Sequence, residues 1–164
     1  MTAGSPSDNG NHAVVHIGDY VIRRVEAADY DRGVLNVLNE LADVGTVSRA
    51  TFETRISEPK QLMFVVAVET SGRLVACGTL MLEDKLIHNA GRVGHVEDIV
   101  TTADCRGRGI AKHLVDHLTE LARTNGCYKA ILSCSDENMA VYEKCGYKRK
   151  ENQMCLYFEP RPML

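Results

Sequence analysis

The residues with the most chemistry per position lie in one run. Asp104-Cys105-Arg106-Gly107-Arg108-Gly109 follows a β-branched stretch and precedes Ile110, Leu114, Val115, Leu118, Leu121 and Ala122, which recur at helical spacing. Two glycines at the mouth of a helix leave the backbone uncrowded, so that successive N–H groups can converge on an anion. Arg106, Arg108 and Lys112 add positive charge to the same turn, which suits a diphosphate better than a neutral ligand. The run is not a Walker A loop, and it lacks the third glycine and distal acid of a dinucleotide fingerprint. Taken alone, an R-G-R-G reads better as a plain Gly-rich turn between strand and helix.

Other reactive residue types are weaker signals. His113 and His117 stand i, i+4 on the same helix, but H-x-x-x-H without the zinc-protease Glu or an evident third ligand reads as surface or packed histidines. The six cysteines, Cys77, Cys105, Cys127, Cys134, Cys145 and Cys155, contain no C-x-x-C and read as reduced, mostly structural thiols. Neither Cys105 nor Cys134 has a sequence-evident His partner that would make it a nucleophile. Net charge −3, from 19 Lys and Arg against 22 Asp and Glu, excludes a global basic field for nucleic acid or anionic membrane. Any bound anion must meet a local site.

The elements that must position these residues follow from apolar period. Residues 1 to 12, rich in Gly, Ser, Asn and Asp, read as a flexible arm, and 13–164 as one domain. Val14 to Arg24 reads as a strand, and Asp29 as the cap of a helix carrying Val34, Leu35, Leu38 and Leu41. Ser48 opens a short helix that Pro59 stops. Leu62 to Glu69 and Arg73 to Glu83 are apolar strands around a Ser71-Gly72 hairpin turn, and after the polar crossing Asp84 to Gly91 comes a third, Arg92 to Thr101. Past the long helix, which ends at Gly126, Lys129 to Ser135 reads as a buried strand, Asn138 to Lys144 as a short helix and Tyr147 to Phe158 as a final strand. No apolar run reaches the about 18 residues of a membrane span, and Met1 to Gly10 lacks the pattern of a signal peptide. The expected compartment is the cytosol or an organelle lumen reached after translation, and Pro162-Met163-Leu164 is not the S-K-L peroxisomal address.

The run G-H-V-E-D-I-V (Gly94 to Val100), then R-G-R-G-I-A-K (Arg106 to Lys112), a long amphipathic helix and a strand resembles the acetyl-CoA core of the GNAT superfamily of N-acetyltransferases. On that superfamily's R/Q-x-x-G-x-G/A pattern fall Arg106, Gly109 and Ala111. Lys85-Leu86-Ile87-His88, Gly126-Cys127-Tyr128-Lys129, Asn138, Val141 to Tyr147 and the late Met154 extend the likeness, in order from about Tyr20 to Phe158. Together they resemble the glucosamine 6-phosphate N-acetyltransferases of that superfamily. The resemblance implies an α/β fold with a mixed, twisted central sheet flanked by helices, whose fourth and fifth strands splay apart to admit the pantetheine arm. The fourth strand would carry Glu97 to Val100. It also implies acetyl-CoA as co-substrate, no metal, and an intertwined homodimer with the last strand exchanged.

Residue by residue, the resemblance gives Arg106, Gly107, Arg108, Gly109, Ile110, Ala111 and Lys112 to the pyrophosphate, and Asp98, Ile99, Val100, Asn138 and Tyr142 to the rest of the cofactor. A bulge near Asp98-Ile99 would aim the Ile99 N–H at the thioester carbonyl. Tyr142 matches the tyrosine that protonates the departing sulfur, and Glu97 is the candidate base, acting through water. Without that context Glu97 and Asp98 would read as solvated carboxylates and Tyr142 as a packing aromatic. Lys85, His88, Glu97, Asp98, Tyr128, Lys129 and Ser133 match the sugar phosphate site, with Ser133 and Cys134 on the strand facing Glu97. Two positions depart from the pattern: Ser133 stands where an Asp is usual, and Tyr157 where a late Arg is, with Arg149 or Arg161 as substitutes. The activity implied is acetyl transfer to the 2-amine of glucosamine 6-phosphate on the route to UDP-N-acetylglucosamine. The alternatives are a protein or peptide amine as acceptor, favoured if Lys85, His88 and Lys129 do not converge, and an acyl-CoA sensor without turnover.

Overall fold

The computed structural model describes residues 14–158; the expected arm at residues 1–12 and Arg161 lie outside the described residues. The fold is built on β3 (Gln61–Val68) and β4 (Leu74–Asp84), buried for most of their length. Phe64 and Val66 face one side of the sheet while Met63 and Val65 face the other. Burial on both faces is why the sequence shows a near-continuous apolar run there in place of alternation.

Among the described residues the sheet has six strands in chain order: β1 (Val15–Ile17), β2 (Tyr20–Arg24), β3, β4, β5 (Arg92–Thr101) and β6 (Cys127–Ile131). All neighbours are antiparallel except β5 and β6, which run parallel. A parallel pair needs a crossover, and α4 (Ile110–Thr124) supplies it. Ile110, Leu114, Leu118 and Ala122 of α4 pack on Phe64, Val75 and Leu80. The opposite face is covered by α1 (Val34–Asn39) and α2 (Arg49–Ile56), through Val34, Val37 and Phe52 against Val65, Cys77 and Val100. Ser48 caps α2 as its sequence suggests, accepting the Thr51 N–H at 3.2 Å. A single turn, α3 (Ile87–Ala90), lies in the polar crossing, and α5 (Met139–Glu143) follows β6.

Four expectations change. Val14 to Arg24 is a hairpin, turning at Gly18, whose φ of +59° lies where a β-carbon is unfavourable. The strand carrying Glu97 is therefore the fifth. Asp29 caps no long helix: Arg23 grips its carboxylate with two hydrogen bonds of 2.7 Å, the Glu26 N–H donates to it at 2.9 Å, and the chain closes a 3-10 turn, Ala27–Tyr30. The helix restarts at Gly33, φ +85°, and ends at Asn39, leaving Leu41 exposed. The strand read at Lys129 to Ser135 begins two residues earlier, at Cys127, and ends four earlier, at Ile131, so Ser133 and Cys134 lie beyond it. Finally, Tyr147 to Phe158 forms no strand. A strand exists only where a ladder satisfies it, and this segment does not take the open outer edge of β6, so Met154, Leu156, Tyr157 and Phe158 remain exposed.

Candidate active site

The anion loop forms as its glycines require. Gly107 and Gly109 have φ of +78° and +79°, and Gly109 is the residue from which α4 starts. The first N–H groups of α4 have no acceptor within the helix and point past the loop. Arg106 donates to the Thr101 carbonyl at 3.1 Å and to Glu40 at 3.4 Å, and Glu40 also accepts the Ala103 N–H at 2.7 Å. Arg108 donates to the Tyr20 hydroxyl and to the Asp104 carbonyl, both at 3.2 Å. Both guanidiniums thus brace the loop, and the two groups that Arg108 bonds are neutral, so neither offsets its charge. Lys112 is matched by Asp116 one turn along the helix.

The expected bulge is present. Cys77 pairs with Val100 and Thr79 with Glu97, so Gly78 alone opposes both Asp98 and Ile99, and Asp98 takes a φ of +53°. A β-carbon on Gly78 would overlap the Ile99 Cδ1 and lie 3.2 and 3.3 Å from Leu114 and Leu118, so the bulge exists because residue 78 is glycine. On the other side of β5, pairing with β6 stops at His95 with Ile131. Residues 96–101 therefore keep an unpaired edge toward the gap between the two strands, the splay that the resemblance implied.

By register, Thr79, Met81 and Glu83 of β4 share one face of the sheet with Glu97, His95 and Val93 of β5 and with Lys129 and Ile131 of β6. Glu97 is half-buried; burial, and then the neighbouring Asp98, push its carboxyl above the usual carboxylate range, against a smaller downward pull from His95. Glu83 receives a hydrogen bond from Lys85 and lies 2.8 Å from His95 Nε2, and these two partners, Lys85 first, hold its carboxyl low.

At the start of β5 three of the expected sugar-phosphate residues lie together: the His88 and Tyr128 rings are 4.5 Å apart and the Lys129 ammonium stands 5.8 Å from the Tyr128 ring centre. The Lys85 backbone N–H bonds the Gly91 carbonyl at 2.8 Å, while its ammonium is held by Glu83. His88, Asn89 and Ala90 all take φ between +53° and +56°, a left-handed turn that carries His88 onto Tyr128.

Tyr142 lines a cleft of about 1130 Å³ with Ser133, Cys134, Met139 and Tyr147, and Lys129 also reaches it. The lining includes neither Glu97 nor the anion loop. Burial, followed by Cys134, Cys145 and Tyr147, pushes the Tyr142 hydroxyl upward, so it is protonated at neutral pH. Asn138 donates to the Ser135 hydroxyl at 3.2 Å at the entrance to α5.

Sequence reasoning missed Glu40, Gly78, Glu83 and His95. No local signal marks Glu40, which meets the loop from far along the chain; Glu83 and His95 could have been found from the hairpin register, which pairs Glu83 with Val93, two residues before His95. Among the described residues no group of three His, Cys, Asp or Glu is arranged for a metal, and His117 packs edge-on against Phe64 at 4.8 Å. The six cysteines are free thiols, and burial pushes Cys77 up to about 12, which leaves it unreactive.

Comparison with known proteins agrees with this geometry. Residues 34–147 match the acetyltransferase (GNAT) family model. The chain is 42% identical over 144 residues to glucosamine 6-phosphate N-acetyltransferase 1 of Oryza sativa subsp. japonica, covering 85% of this chain and 87% of that one. It is 41% identical over 133 residues to glucosamine 6-phosphate N-acetyltransferase of Candida albicans, covering 79% and 89%. Its structure superposes on the crystal structure of glucosamine-6-phosphate N-acetyltransferase from Arabidopsis thaliana with a TM-score of 0.81 at 37% identity, covering 85% of this chain and 99% of that one. An anion loop at the head of α4, a glycine-enabled bulge beside a splayed parallel pair and relatives of this closeness give one conclusion: the chain belongs to the GNAT acetyltransferases and, within them, to the glucosamine 6-phosphate N-acetyltransferase family.

Proposed function

We propose that the chain transfers the acetyl group of acetyl-CoA directly to the 2-amine of glucosamine 6-phosphate, releasing CoA and N-acetylglucosamine 6-phosphate for UDP-N-acetylglucosamine synthesis. The observation that carries this reading is the cluster of His88, Tyr128 and Lys129 at one end of the face on which Glu97 stands, with the Lys85 ammonium bonded to Glu83, which pairs in register with Val93 beside Lys129. Cations for a phosphate at one end and a carboxylate of raised pKa toward the other match an acceptor with a phosphate and an amine. The loop from Arg106 to Lys112 would take the cofactor pyrophosphate on backbone N–H groups, and the open edge of β5 the pantetheine amides. The Ile99 N–H, turned by the bulge, would stabilise the oxyanion. Glu97 would accept the amine proton through water, and Tyr142 would donate one to the sulfur. The reading includes a homodimer: the exposed apolar end Met154 to Phe158 and the open edge of β6 favour two copies exchanging that segment.

Release of CoA thiol from acetyl-CoA tests it, with glucosamine 6-phosphate, glucosamine, glucose 6-phosphate and a lysine peptide as acceptors. Release that needs both amine and phosphate is expected. Release with the peptide alone would move the acceptor to a protein amine, and binding of acetyl-CoA without any release would make the chain a sensor.

The raised Glu97 carboxyl gives the pH profile a definite form. The acceptor amine, with a pKa of roughly 7.7 to 8.0 by analogy with an α-amino group, sets one acid limb, and Glu97 adds a second break above the ordinary value of about 4.3. Asp98→Asn removes the like charge and keeps a residue that tolerates positive φ. It should move that second break in kcat/KM to lower pH, and Glu97→Gln should abolish it.

Gly78 gives a second check. Gly78→Ala should push Ile99 from its place and lower kcat about tenfold, within the range of an overpacked site. Adding Ile99→Val, which deletes the overlapping methyl, should recover most of the loss. Steady-state kinetics on the single and double variants measures both.

A further inference from the structure

We propose that His95, held by Glu83, is a specificity-determining residue that reads a ring hydroxyl of the sugar acceptor. The inference rests on the acceptor assigned above and adds to it a contact that neither the sequence pattern nor the mechanism uses. Along β5 the residues facing the acceptor side are Val93, His95 and Glu97, each about 7 Å from the next at ordinary strand rise. The amine end of the site is at Glu97. The phosphate end is at Lys129, which pairs with Val93, and at Lys85. In a hexose bearing a 2-amine and a 6-phosphate, the ring and its hydroxyls lie between those two groups. His95 stands midway.

Its orientation is fixed by the hydrogen bond to Glu83. The Glu83 carboxyl is held low by Lys85 and His95, so it is ionised and can only accept hydrogen bonds. At 2.8 Å from Glu83 Oε2, the His95 Nε2 must therefore carry the hydrogen and donate it. In the neutral ring this leaves Nδ1 as the acceptor, and a sugar O–H can donate to it. Glu83 also bonds Lys85, so one carboxylate aligns the ring-reading imidazole and a phosphate-facing ammonium together. The imidazole is part-buried, with 29% of its side chain exposed, enough to meet a ligand and too little to swing freely.

The experiment compares kcat/KM for glucosamine 6-phosphate, its 4-epimer and its 3-deoxy analogue in the wild type, in His95→Ala and in Glu83→Gln. The wild type should discriminate against at least one analogue by about tenfold, the worth of one hydrogen bond. His95→Ala should bring that ratio toward unity by losing activity on the parent sugar alone, with KM for acetyl-CoA unchanged. Glu83→Gln, which loosens the imidazole without emptying its space, should do the same more weakly and serves if His95→Ala does not fold. Equal discrimination in wild type and variants, or none in the wild type, overturns the proposal. A wild type inactive on glucosamine 6-phosphate but active on a peptide amine overturns the assigned acceptor and this inference with it.

Discussion

Tyr142→Phe is expected to lower kcat about 100-fold while leaving KM for acetyl-CoA within about twofold of the wild type. Loss of a positioned proton donor is worth 10² to 10⁴ in rate, and the lower end applies to a half-buried hydroxyl that water can partly replace. Phenylalanine keeps the ring and its edge contact with Tyr147, whose centre is 6.4 Å away, so the melting temperature should not move. A thioester of a more acidic thiol needs less help in leaving. With such a donor the difference between wild type and variant should shrink, whereas a loss caused by misplaced packing would persist for every thioester.

Asp29→Ala should cost 3 to 5 kcal/mol of stability, the usual price of stranding one member of a buried ion pair. The carboxylate is fully buried, and the Arg23 guanidinium that grips it on two bonds would keep its charge and lose its hydrogen-bonded partner, leaving only the weaker pull of Glu26. At about 2 to 4 °C per kcal/mol for a chain of this size, the melting temperature should fall by about 6 to 20 °C. Replacing both partners, Arg23→Met with Asp29→Leu, should cost far less than Asp29→Ala alone. The pair also sets a pH dependence. Burial pushes the Asp29 carboxyl up, but Arg23, the Glu26 N–H and Arg32 together outweigh it and hold the carboxyl below its ordinary value. Its stabilisation is therefore complete above about pH 3.9, the unfolded value, and is lost as pH falls through the depressed native one. Urea titrations below pH 4 should show the wild type losing stability that Asp29→Ala never had.

Legibility in the sequence followed the range of the interactions involved. The helix after Gly109 and the apolar strands β3, β4 and β5 were readable because period and turn residues are local. The bulge came only through resemblance, since what permits it, Gly78 against Ile99, lies across a strand pair. Asp29 looked like a helix cap because Asp is a good one, and the competing partner, Arg23, has no cap signature. The Glu40 brace on Arg106 and the Glu83 bridge between Lys85 and His95 are tertiary, and side-chain type alone does not announce them. The segment Met154 to Phe158 has strand-like residues, yet strand formation depends on an available edge, a property of the assembled sheet.

The single parallel pairing in the sheet bears on the order in which the protein assembles. The β1–β2, β3–β4 and β4–β5 ladders join chain neighbours across short connections, whereas β2 reaches β3 only after α1 and α2, pairing Arg24 with Phe64. The β5–β6 ladder joins Arg92 to Cys127 and needs the whole of α4 to be laid down between them. Contacts of long sequence separation form late. The β2–β3 and β5–β6 ladders should thus mature after the β3–β4–β5 meander on refolding, with cofactor binding at the β5–β6 gap appearing after that meander has gained amide protection.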